Sequence, residues 1–355
     1  MQERTRTKTS TRTRTRTRTT TRTTTRTALA ALLTAVAAVT SVVATVPAHA
    51  APTTTPVTTD TIRTATTGQV FAGGLFVQPD SQAAQAATAL SASGDTAGVA
   101  AARTIAAQPV AIWLGEWFRG DMLDRYLARN LAAAEAAGRT PVFVTYAIPN
   151  RDCGGYSAGG LSAADYVAWN QRVADGLRGH RAVVLVEPDS LSALPRCTSE
   201  AATRPPLLAQ AVSALSAAGV PAYLDGGNST WNTAEAQATL LRSAGISQAR
   251  GFFTNVANFQ RVDQERAYGD RVSALTGGSH YVVDVSRNGR GWKGTWCNPT
   301  GAGLGQTPHV SAGTTAMDAL LWVKTPGSSD GTCNGGPAAG KWWSAYAQAL
   351  VANRR

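Results

Sequence analysis

The chain has 355 residues and a formal net charge of +11, from 33 basic and 22 acidic residues. Residues 1–27 hold nine of the basic residues and one of the acidic residues, so the rest is close to neutral, with 24 basic and 21 acidic residues. The basic excess therefore belongs to the amino-terminal segment, and it gives no support to nucleic-acid binding by the remainder of the chain.

Residues 1–50 have the segment order of a secretory signal peptide. A Thr/Arg-rich run precedes an apolar stretch at residues 28–46, and Ala48-His49-Ala50 follows as a small-residue cleavage pattern. The stretch is also just long enough for a membrane anchor, but it is mostly Ala and Thr and the cleavage pattern follows at once. We therefore expect a secreted protein without membrane attachment after cleavage.

Residues 51–67 are rich in Thr and Pro and lack a periodic apolar face, which predicts a linker or a frayed start. Residues 68–355 show no second shift in composition. Their number fits one α/β barrel, so we expect a single domain with no additional binding module.

From residue 69 onward, short apolar runs alternate with Ala/Leu-rich segments of helical period. The candidate strands cover residues 69–77, 109–115, 141–148, 182–187, 221–225, 251–256, 281–286 and 319–324. Their apolar character is continuous rather than alternating, which is typical of strands buried on both faces. The repeated strand–helix order predicts a parallel α/β sheet, either open or closed into a barrel.

Aspartates lie at or just beyond the carboxyl ends of five candidate strands. These residues are Asp152, Asp189, Asp225, Asp284 and Asp330. Since all parallel strands of a barrel end on one face, their carboxylates are expected to converge there. The alternative for one or two of them is a cap on the helix that follows, a common position for Asp.

Converging carboxylates predict acid–base chemistry on a polar, uncharged substrate. The three histidines beyond the leader, His180, His280 and His309, lack the spacing of a metal-ligand pair, so we expect no metal or other cofactor. Two carboxyl groups across a glycosidic bond are the usual arrangement in glycoside hydrolases, and crowding keeps one of them protonated.

A rival motif lies after the third candidate strand. Residues 155–159 read Gly-Tyr-Ser-Ala-Gly, the G-x-S-x-G pattern of a serine esterase with Ser157 as its nucleophile. That pattern needs a strand running directly into the serine, whereas residues 149–153 separate the two here. We therefore favour Asp152 over Ser157 as the functional residue of this loop.

Tryptophans are frequent near the predicted strand ends. They are Trp113, Trp117, Trp231, Trp292, Trp296 and Trp322. Trp322 lies within an apolar run and is expected in the core. Trp231, Trp292 and Trp296 lie among Gly and polar residues, which favours contact with the flat face of a sugar.

Four cysteines, at positions 153, 197, 297 and 333, show no zinc-like spacing. In a secreted protein an even number predicts disulfides, although buried free thiols are the alternative. Three pairings are possible, and we favour the nearest neighbours, Cys153–Cys197 and Cys297–Cys333.

Two longer segments resemble the signatures of glycoside hydrolase family 6. They are residues 144–160, VTYAIPNRDCGGYSAGG, and residues 183–194, VVLVEPDSLSAL. Further segments match in family order between residues 70 and 355: YLDGGNSTW, FFTNVANFQ, DVSRNGRG, WCNPTGAGLG and LLWVKTPGSSDG. The resemblance implies a distorted parallel α/β barrel of about seven strands, and a monomer that hydrolyses β-1,4-glucan with inversion at the anomeric carbon.

The resemblance also implies roles for individual residues. Asp189 matches the general acid, and Asp152, in contact with Tyr146, matches the residue that raises the pKa of that acid. Asp330 matches the candidate base, and Asp225 a further aspartate of the cleft. The matching sugar-binding positions are Trp113, Trp231, Trp296, Lys324, Asn228 and Ser328. The family suggests the same two cysteine pairs.

Two of these positions depart from the family pattern. Asn228 stands where the family usually has His, and Ser328 where it usually has a sugar-contacting Glu. A non-hydrolytic glucan-binding relative is therefore an alternative, although Asp152 and Asp189 are retained. The segments after Trp231 and Trp296 are short, so we expect an open cleft and endoglucanase action rather than the roofed tunnel of an exo-acting cellobiohydrolase.

Overall fold

The computed structural model describes residues 59–354. The predicted signal peptide and the first part of the predicted linker lie outside these residues. No helix within residues 59–354 is long and apolar enough to cross a bilayer.

One sheet of eight strands organises the described residues. The strands are β1 (Ile112–Gly115), β2 (Val142–Tyr146), β3 (Val183–Val186), β4 (Ala222–Asp225), β5 (Gly251–Thr254), β6 (His280–Asp284), β7 (His309–Val310) and β8 (Met317–Leu321). Their order is β1-β2-β3-β4-β5-β6-β8-β7; β7 is antiparallel to β8, and every other pair is parallel. The predicted parallel α/β sheet of about seven strands is confirmed.

Helices connect and surround the strands. They are α1 (Thr59–Thr64), α2 (Thr67–Val70), α3 (Gln82–Ser93), α4 (Thr96–Ala106), α5 (Gly120–Ala136), α6 (Ala163–Leu177), α7 (Arg204–Ala217), α8 (Ala234–Ser243), α9 (Val262–Leu275) and α10 (Ser344–Ala352). Polar caps begin several of them; the hydroxyls of Ser81, Ser162 and Thr233 each accept a hydrogen bond from the first turn.

The sheet closes between β1 and β8 through a single isolated bridge. Val110 pairs with Trp322, and the Ala111 N–H donates to the Trp322 carbonyl over 2.9 Å. Regular pairing does not continue across this seam, so the barrel is distorted there. Trp322 is fully buried, as predicted.

The parallel strands bury both of their faces, whereas the short β7 is largely exposed. The inward side chains form one apolar cluster that fills the barrel, and it includes Val144, Leu185, Phe253 and Val282. The outward side chains pack against the helices in a second, larger cluster. This two-sided burial is the reason for the continuous apolar runs in the sequence.

The prediction of a strand at residues 69–77 is wrong. Its first residues lie in α2, and only Leu75 makes a strand-like bridge, to Thr140. Gly73 and Gly74 have φ of +76° and +85°, so the chain turns where a strand would have to stay extended. Val70 and Phe71 of this run pack into the apolar cluster that fills the barrel.

Residues 59–67, the second part of the predicted linker, belong to the packed structure. Ile62 is buried, and the Arg250 guanidinium donates to the carbonyls of Arg63 and Ala65 over 2.8 and 2.6 Å. Arg250 is also bidentate to Asp318, which accepts a further bond from Thr67 over 2.6 Å. The amino-terminal end of the barrel is therefore covered by these first helices.

Candidate active site

The loops at the carboxyl ends of the strands carry all nine described non-glycine residues with positive φ. They are Asn150, Asp152, Cys153, Glu187, Asp189, Asn255, Ala257, Asn298 and Asn334. Left-handed conformations are costly for residues with a Cβ and persist where surrounding contacts enforce them, often at functional sites. This end of the barrel therefore holds the candidate site.

Arg151 anchors the loop after β2. Its buried guanidinium donates to the carbonyls of Tyr146 and Ser157 over 2.6 and 2.8 Å and forms an ion pair with Glu116. The guanidinium also lies 4.4 Å from the centre of the Tyr146 ring. These contacts fix the position of Asp152, whose carboxylate accepts the Ser157 N–H over 2.8 Å.

Asp189 follows β3 in a left-handed conformation, with φ of 66°, and is partly buried. Burial, and then the negative charges of Asp225 and Asp152, raise the pKa of Asp189 well above its usual value. The positive charges of Lys324 and Arg196 oppose this rise. Asp189 therefore holds its proton at pH values where an exposed Asp would be ionised.

Asp225 ends β4 and faces inward. Its carboxylate accepts the backbone N–H groups of Leu191, Ser192 and Gly227 over 2.9–3.0 Å, and the Ser192 hydroxyl over 2.7 Å. Burial raises the pKa of Asp225, while these hydrogen bonds lower it. Asp225 thus both holds the loop that carries Asp189 and adds negative charge beside it.

Tyr146 ends β2, close enough to Asp152 and Asp189 to be affected by their charges. Burial, with the charges of Asp189 and Asp152, raises the pKa of Tyr146, so its phenol stays neutral. Its ring meets the Trp113 ring edge-on, with 5.1 Å between centroids. The negative charges of Asp189 and Asp152 thus both act on the Tyr146 phenol.

Asp284, at the end of β6, serves a different purpose from the one its position predicted. Its two oxygens accept the backbone N–H groups of Ala257, Ser286, Val323 and Lys324 over 2.8–3.2 Å. Burial raises its pKa, and these bonds counteract that effect. Asp284 ties the ends of three strands together rather than presenting a free carboxylate.

Asp330 is buried between two cations. Arg287 contacts its Oδ2 over 2.8 Å, Lys324 its Oδ1 over 3.0 Å, and the Asn298 N–H donates to Oδ2 over 3.0 Å. Burial acts to raise the pKa of Asp330, but the charges of Arg287 and Lys324 outweigh it and lower the value to about 2. Asp330 is therefore ionised over a pH range in which Asp189 still holds its proton.

Sequence reasoning did not assign two of the charged partners around this site. Arg287 is fully buried against Asp330, and Glu187 is fully buried behind the loop of Asp152. The Glu187 carboxylate accepts the N–H groups of Ala147 and Ile148 over 2.9 and 3.1 Å. Burial raises the pKa of Glu187 to about 7. The sequence shows each of them as a charged residue inside or beside a motif, but it does not identify the group that the residue contacts.

Both predicted disulfides are present and cross-link the site loops. Cys153–Cys197 joins the loop after β2 to the segment after β3, and Cys297–Cys333 joins the loop after β6 to the loop of Asp330. The first link is reinforced by Arg204, which donates to the carbonyls of Asn150 and Ser190 over 3.0 and 3.1 Å. The loops that carry the carboxylates are thus held together covalently.

Aromatic rings line the site. Trp296 is 47% exposed, and its ring centroid lies 6.1 Å from that of Tyr156 on the Asp152 loop. Trp231 is partly buried beneath Arg196, whose guanidinium lies 5.0 Å from the ring. Trp113 donates from Nε1 to the Val323 carbonyl over 2.8 Å. Trp292 is 46% exposed on the same loop as Trp296.

The two positions that depart from the family pattern are both buried. Asn228 accepts hydrogen bonds from the Thr230 N–H and hydroxyl over 3.0 and 2.8 Å, and its Nδ2 has no partner among the described residues. Ser328 pairs through its backbone with Trp342. Neither residue removes a contact made by Asp152, Asp189 or Asp330.

The geometry gives no support to a serine nucleophile. Ser157 bonds Asp152 through its backbone N–H and lies inside an irregular loop, not between a strand and a helix. The three histidines of the described residues, His180, His280 and His309, contact Glu135, Asp318 and the Thr307 carbonyl respectively. All of these groups lie outside the Ser157 loop.

Residues 71–354 match the sequence profile of "Glycosyl hydrolases family 6". The chain is 40% identical over 282 residues to "Endoglucanase A" of Cellulomonas fimi, an alignment that covers 79% of this chain and 62% of that protein. It is 37% identical over 291 residues to "Endoglucanase 1" of Streptomyces halstedii, covering 78% of this chain and 88% of that protein. The chain thus spans less than two thirds of the Cellulomonas protein but most of the Streptomyces one.

A solved structure has the same fold. It is the endoglucanase Cel6 from Mycobacterium tuberculosis, in complex with methyl-cellobiosyl-4-deoxy-4-thio-β-D-cellobioside. The TM-score is 0.74 at 41% sequence identity, and the match covers 80% of this chain and 98% of that chain. Sequence and fold therefore agree on one relationship.

Proposed function

Because the chain belongs to glycosyl hydrolases family 6, we propose that it hydrolyses internal β-1,4-glucosidic bonds of glucans with inversion of configuration, as an endoglucanase. The observation that carries this proposal is the pair of opposite carboxyl states at one barrel end. Burial and neighbouring charges raise the pKa of Asp189, whereas Arg287 and Lys324 lower that of Asp330 to about 2. One protonated and one ionised carboxyl group are what an inverting glycosidase needs.

Asp189 is the general acid in this proposal. It gives its proton to the glycosidic oxygen as the bond to the anomeric carbon breaks. Asp152 and Asp225 favour the protonated state before the reaction, through the same charges that raise its pKa. Their role is electrostatic, and Asp225 also holds the Asp189 loop through the N–H groups of Leu191 and Ser192.

Asp330 acts on the water that attacks the anomeric carbon from the opposite face. With a pKa of about 2 it is a weak base, because both of its oxygens already face cations or a backbone N–H. It therefore orients the water and stabilises the positive charge that develops, while the proton that the water loses passes along a chain of hydrogen bonds to solvent.

The short connection after β4 supports an open cleft on that side of the site. Only residues 226–233 separate β4 from α8, and Thr233 already caps that helix. A chain can then enter sideways, and cleavage occurs at internal bonds. The name "endoglucanase" carried by the relatives at 37–40% identity supports the same mode of action.

The substrate partner is a β-1,4-glucan, bound by a monomer outside the cell. Two disulfides at the site support an oxidising compartment, because such bonds persist in secreted proteins.

The test is hydrolysis of carboxymethyl cellulose by the wild type and by Asp189→Ala, with viscosity and reducing ends followed together. We expect an early fall in viscosity with the wild type, and a loss of at least about 1,000-fold in rate with the variant. Reducing ends that rise without the viscosity drop indicate exo action. A wild type that binds the glucan but releases no reducing ends would make it the non-hydrolytic relative.

A further inference from the structure

Trp117 is the most exposed large apolar side chain of the described residues, at 54%. It lies two residues beyond β1, at the carboxyl-terminal end of the barrel, and the mechanism proposed above does not use it. A large ring left half in water at the mouth of a site has two explanations. Either it covers the backbone beneath it, or it awaits a ligand.

The indole points into the barrel mouth. Ala111 belongs to the cluster that fills the barrel, and Trp113 packs against it. Because side chains alternate along a strand, a side chain at Gly115 would also point inward. A Cβ on Gly115 would lie 2.6 Å from Cε3 of Trp117 and closer still to two other atoms of its ring. The ring therefore occupies the space above Gly115, and only glycine leaves room for it.

The segment that carries the ring is rigid. The Phe118 N–H donates to the Gly115 carbonyl over 3.0 Å and closes a tight turn. Glu116 is held by its ion pair with Arg151, and Trp169 donates from Nε1 to the Phe118 carbonyl over 2.7 Å. A fixed ring loses little entropy when a ligand stacks on it.

The neighbours of the ring belong to the candidate site. Gly115 pairs in register with Tyr146, whose ring contacts that of Trp113. The Glu116–Arg151 ion pair also anchors the Asp152 loop. Trp117 thus lies over the end of β1 that is paired with Tyr146, although the ring contact it makes is with Phe118, 6.2 Å between centroids.

We propose that Trp117 is a sugar platform that binds a glucosyl unit of the β-1,4-glucan distal to the bond that is cleaved. The proposal rests on the function proposed above, and it adds one subsite on the β1 side of the cleft. All hydroxyls of such a unit are equatorial, so its two faces are apolar and stack on an indole. A ring that only covered Gly115 would bury most of its surface, whereas this one keeps 54% exposed.

The experiment measures kcat/KM on cellotriose, cellotetraose, cellopentaose and cellohexaose for the wild type and Trp117→Ala. The expected result is a ratio of cellohexaose to cellotriose that falls about fivefold, the size of one stacking contact. The positions of bond cleavage in cellohexaose shift as well, because one end of the chain has lost a contact. A ratio and cleavage pattern equal to those of the wild type would overturn the proposal.

Three further variants guard against a folding defect. Gly115→Ala keeps the indole but displaces it, and it should lower the same ratio; Trp117→Phe should lower it less. Met122→Ala removes an apolar side chain that is 53% exposed on α5, and it should leave the ratio unchanged. A uniform loss over all four substrates, together with a lower melting temperature, would make Trp117 a cover for Gly115 and overturn the platform.

The outcome is separable from that of the proposed function. If the wild type cleaves none of the four oligosaccharides, the hydrolase proposal fails, and calorimetric binding of cellohexaose then tests the platform. Weaker binding by Trp117→Ala would still support the platform, and equal binding would overturn it.

Discussion

Both ends of the barrel bury an aspartate against cations, Asp318 and Asp330, but only the carboxyl-terminal end also holds buried aspartates that have no ion pair among the described residues. At the amino-terminal end, burial acts to raise the pKa of Asp318, but hydrogen bonds from His280 and Arg250 hold it well below its usual range. At the carboxyl-terminal end, burial raises the pKa of Asp189 and of Asp225. The neutralised charge stabilises the fold, whereas the crowded carboxyl groups retain a proton for chemistry.

The two ends of the barrel also differ in the conformation of their backbone. All nine described non-glycine residues with positive φ, and both disulfides, lie in the loops at the carboxyl-terminal end. The amino-terminal end is covered by α1 and α2, with the carbonyls at the end of α1 bound by Arg250. Costly conformations are thus confined to the end where cross-links can hold them.

A matched pair of substitutions tests this contrast with the largest expected effect. Arg287→Met removes a buried cation and a hydrogen bond from Asp330, so the pKa of that carboxyl rises and the contact that fixes its position for the attacking water is lost. We expect kcat on carboxymethyl cellulose to fall about 100-fold, as for the loss of one preorganised charge.

Arg250→Met is the control at the other end. It leaves Asp318 buried without its cation, and the free energy of unfolding should fall by about 3–5 kcal/mol in urea titrations. The kcat of the remaining folded protein should stay within about twofold of the wild type, since Arg250 contacts no residue of the site. A 100-fold loss of kcat in Arg250→Met as well would contradict the division between the two ends.

The buried carboxyl group of Glu187, at the carboxyl-terminal end of the barrel, should make the free energy of unfolding depend on pH. Burial raises its pKa to about 7, so the folded protein binds this proton more tightly than the unfolded chain does. The contribution is complete below about pH 4, the unfolded pKa, and is lost as the pH rises through about 7. Glu187→Gln should therefore flatten the decline of unfolding free energy between pH 5 and 7, by up to about 1.4 kcal/mol per pH unit. Identical slopes in urea titrations of both proteins would show that Glu187 is not the group responsible.

Ser157→Ala has the smallest expected effect. Ser157 holds Asp152 through its backbone N–H, which alanine retains, so activity on carboxymethyl cellulose should change by less than about threefold. The measurement also decides between the two motifs of this loop. Loss of all activity on an ester or a glucan would instead support Ser157 as the nucleophile.

Much of the site could be predicted from the chain because its residues follow apolar strands directly. Asp189 and Asp225 are recognisable from their positions at strand ends, and the nearest-neighbour pairing favoured among the three possible cysteine pairings is the one that the structure has. The strand predicted at residues 69–77 failed because an apolar run can fill a barrel end as well as form a strand. Asp284 was placed correctly, but its position could not reveal that backbone N–H groups occupy its oxygens.

The partners of the carboxylates were beyond sequence reasoning. Arg287 and Asp330 are 43 residues apart, and Arg250 and Asp318 are 68 residues apart, so no local pattern joins either pair. The orientation of the Trp117 indole was equally beyond sequence reasoning, because it depends on Gly115 facing the interior of the barrel at the end of β1. These features appear only when the register of the sheet is known.

The pH dependence of kcat/KM for the wild type and Asp152→Asn tests the central claim most directly. Asp189 must be protonated to act, so activity is lost as the pH rises through its pKa, which Asp152 helps to raise. Removing that charge should move the basic limb to lower pH, while Asp152→Glu should keep most of the wild-type position. A basic limb that does not move in Asp152→Asn would contradict the account that crowded carboxylates hold the catalytic proton on Asp189.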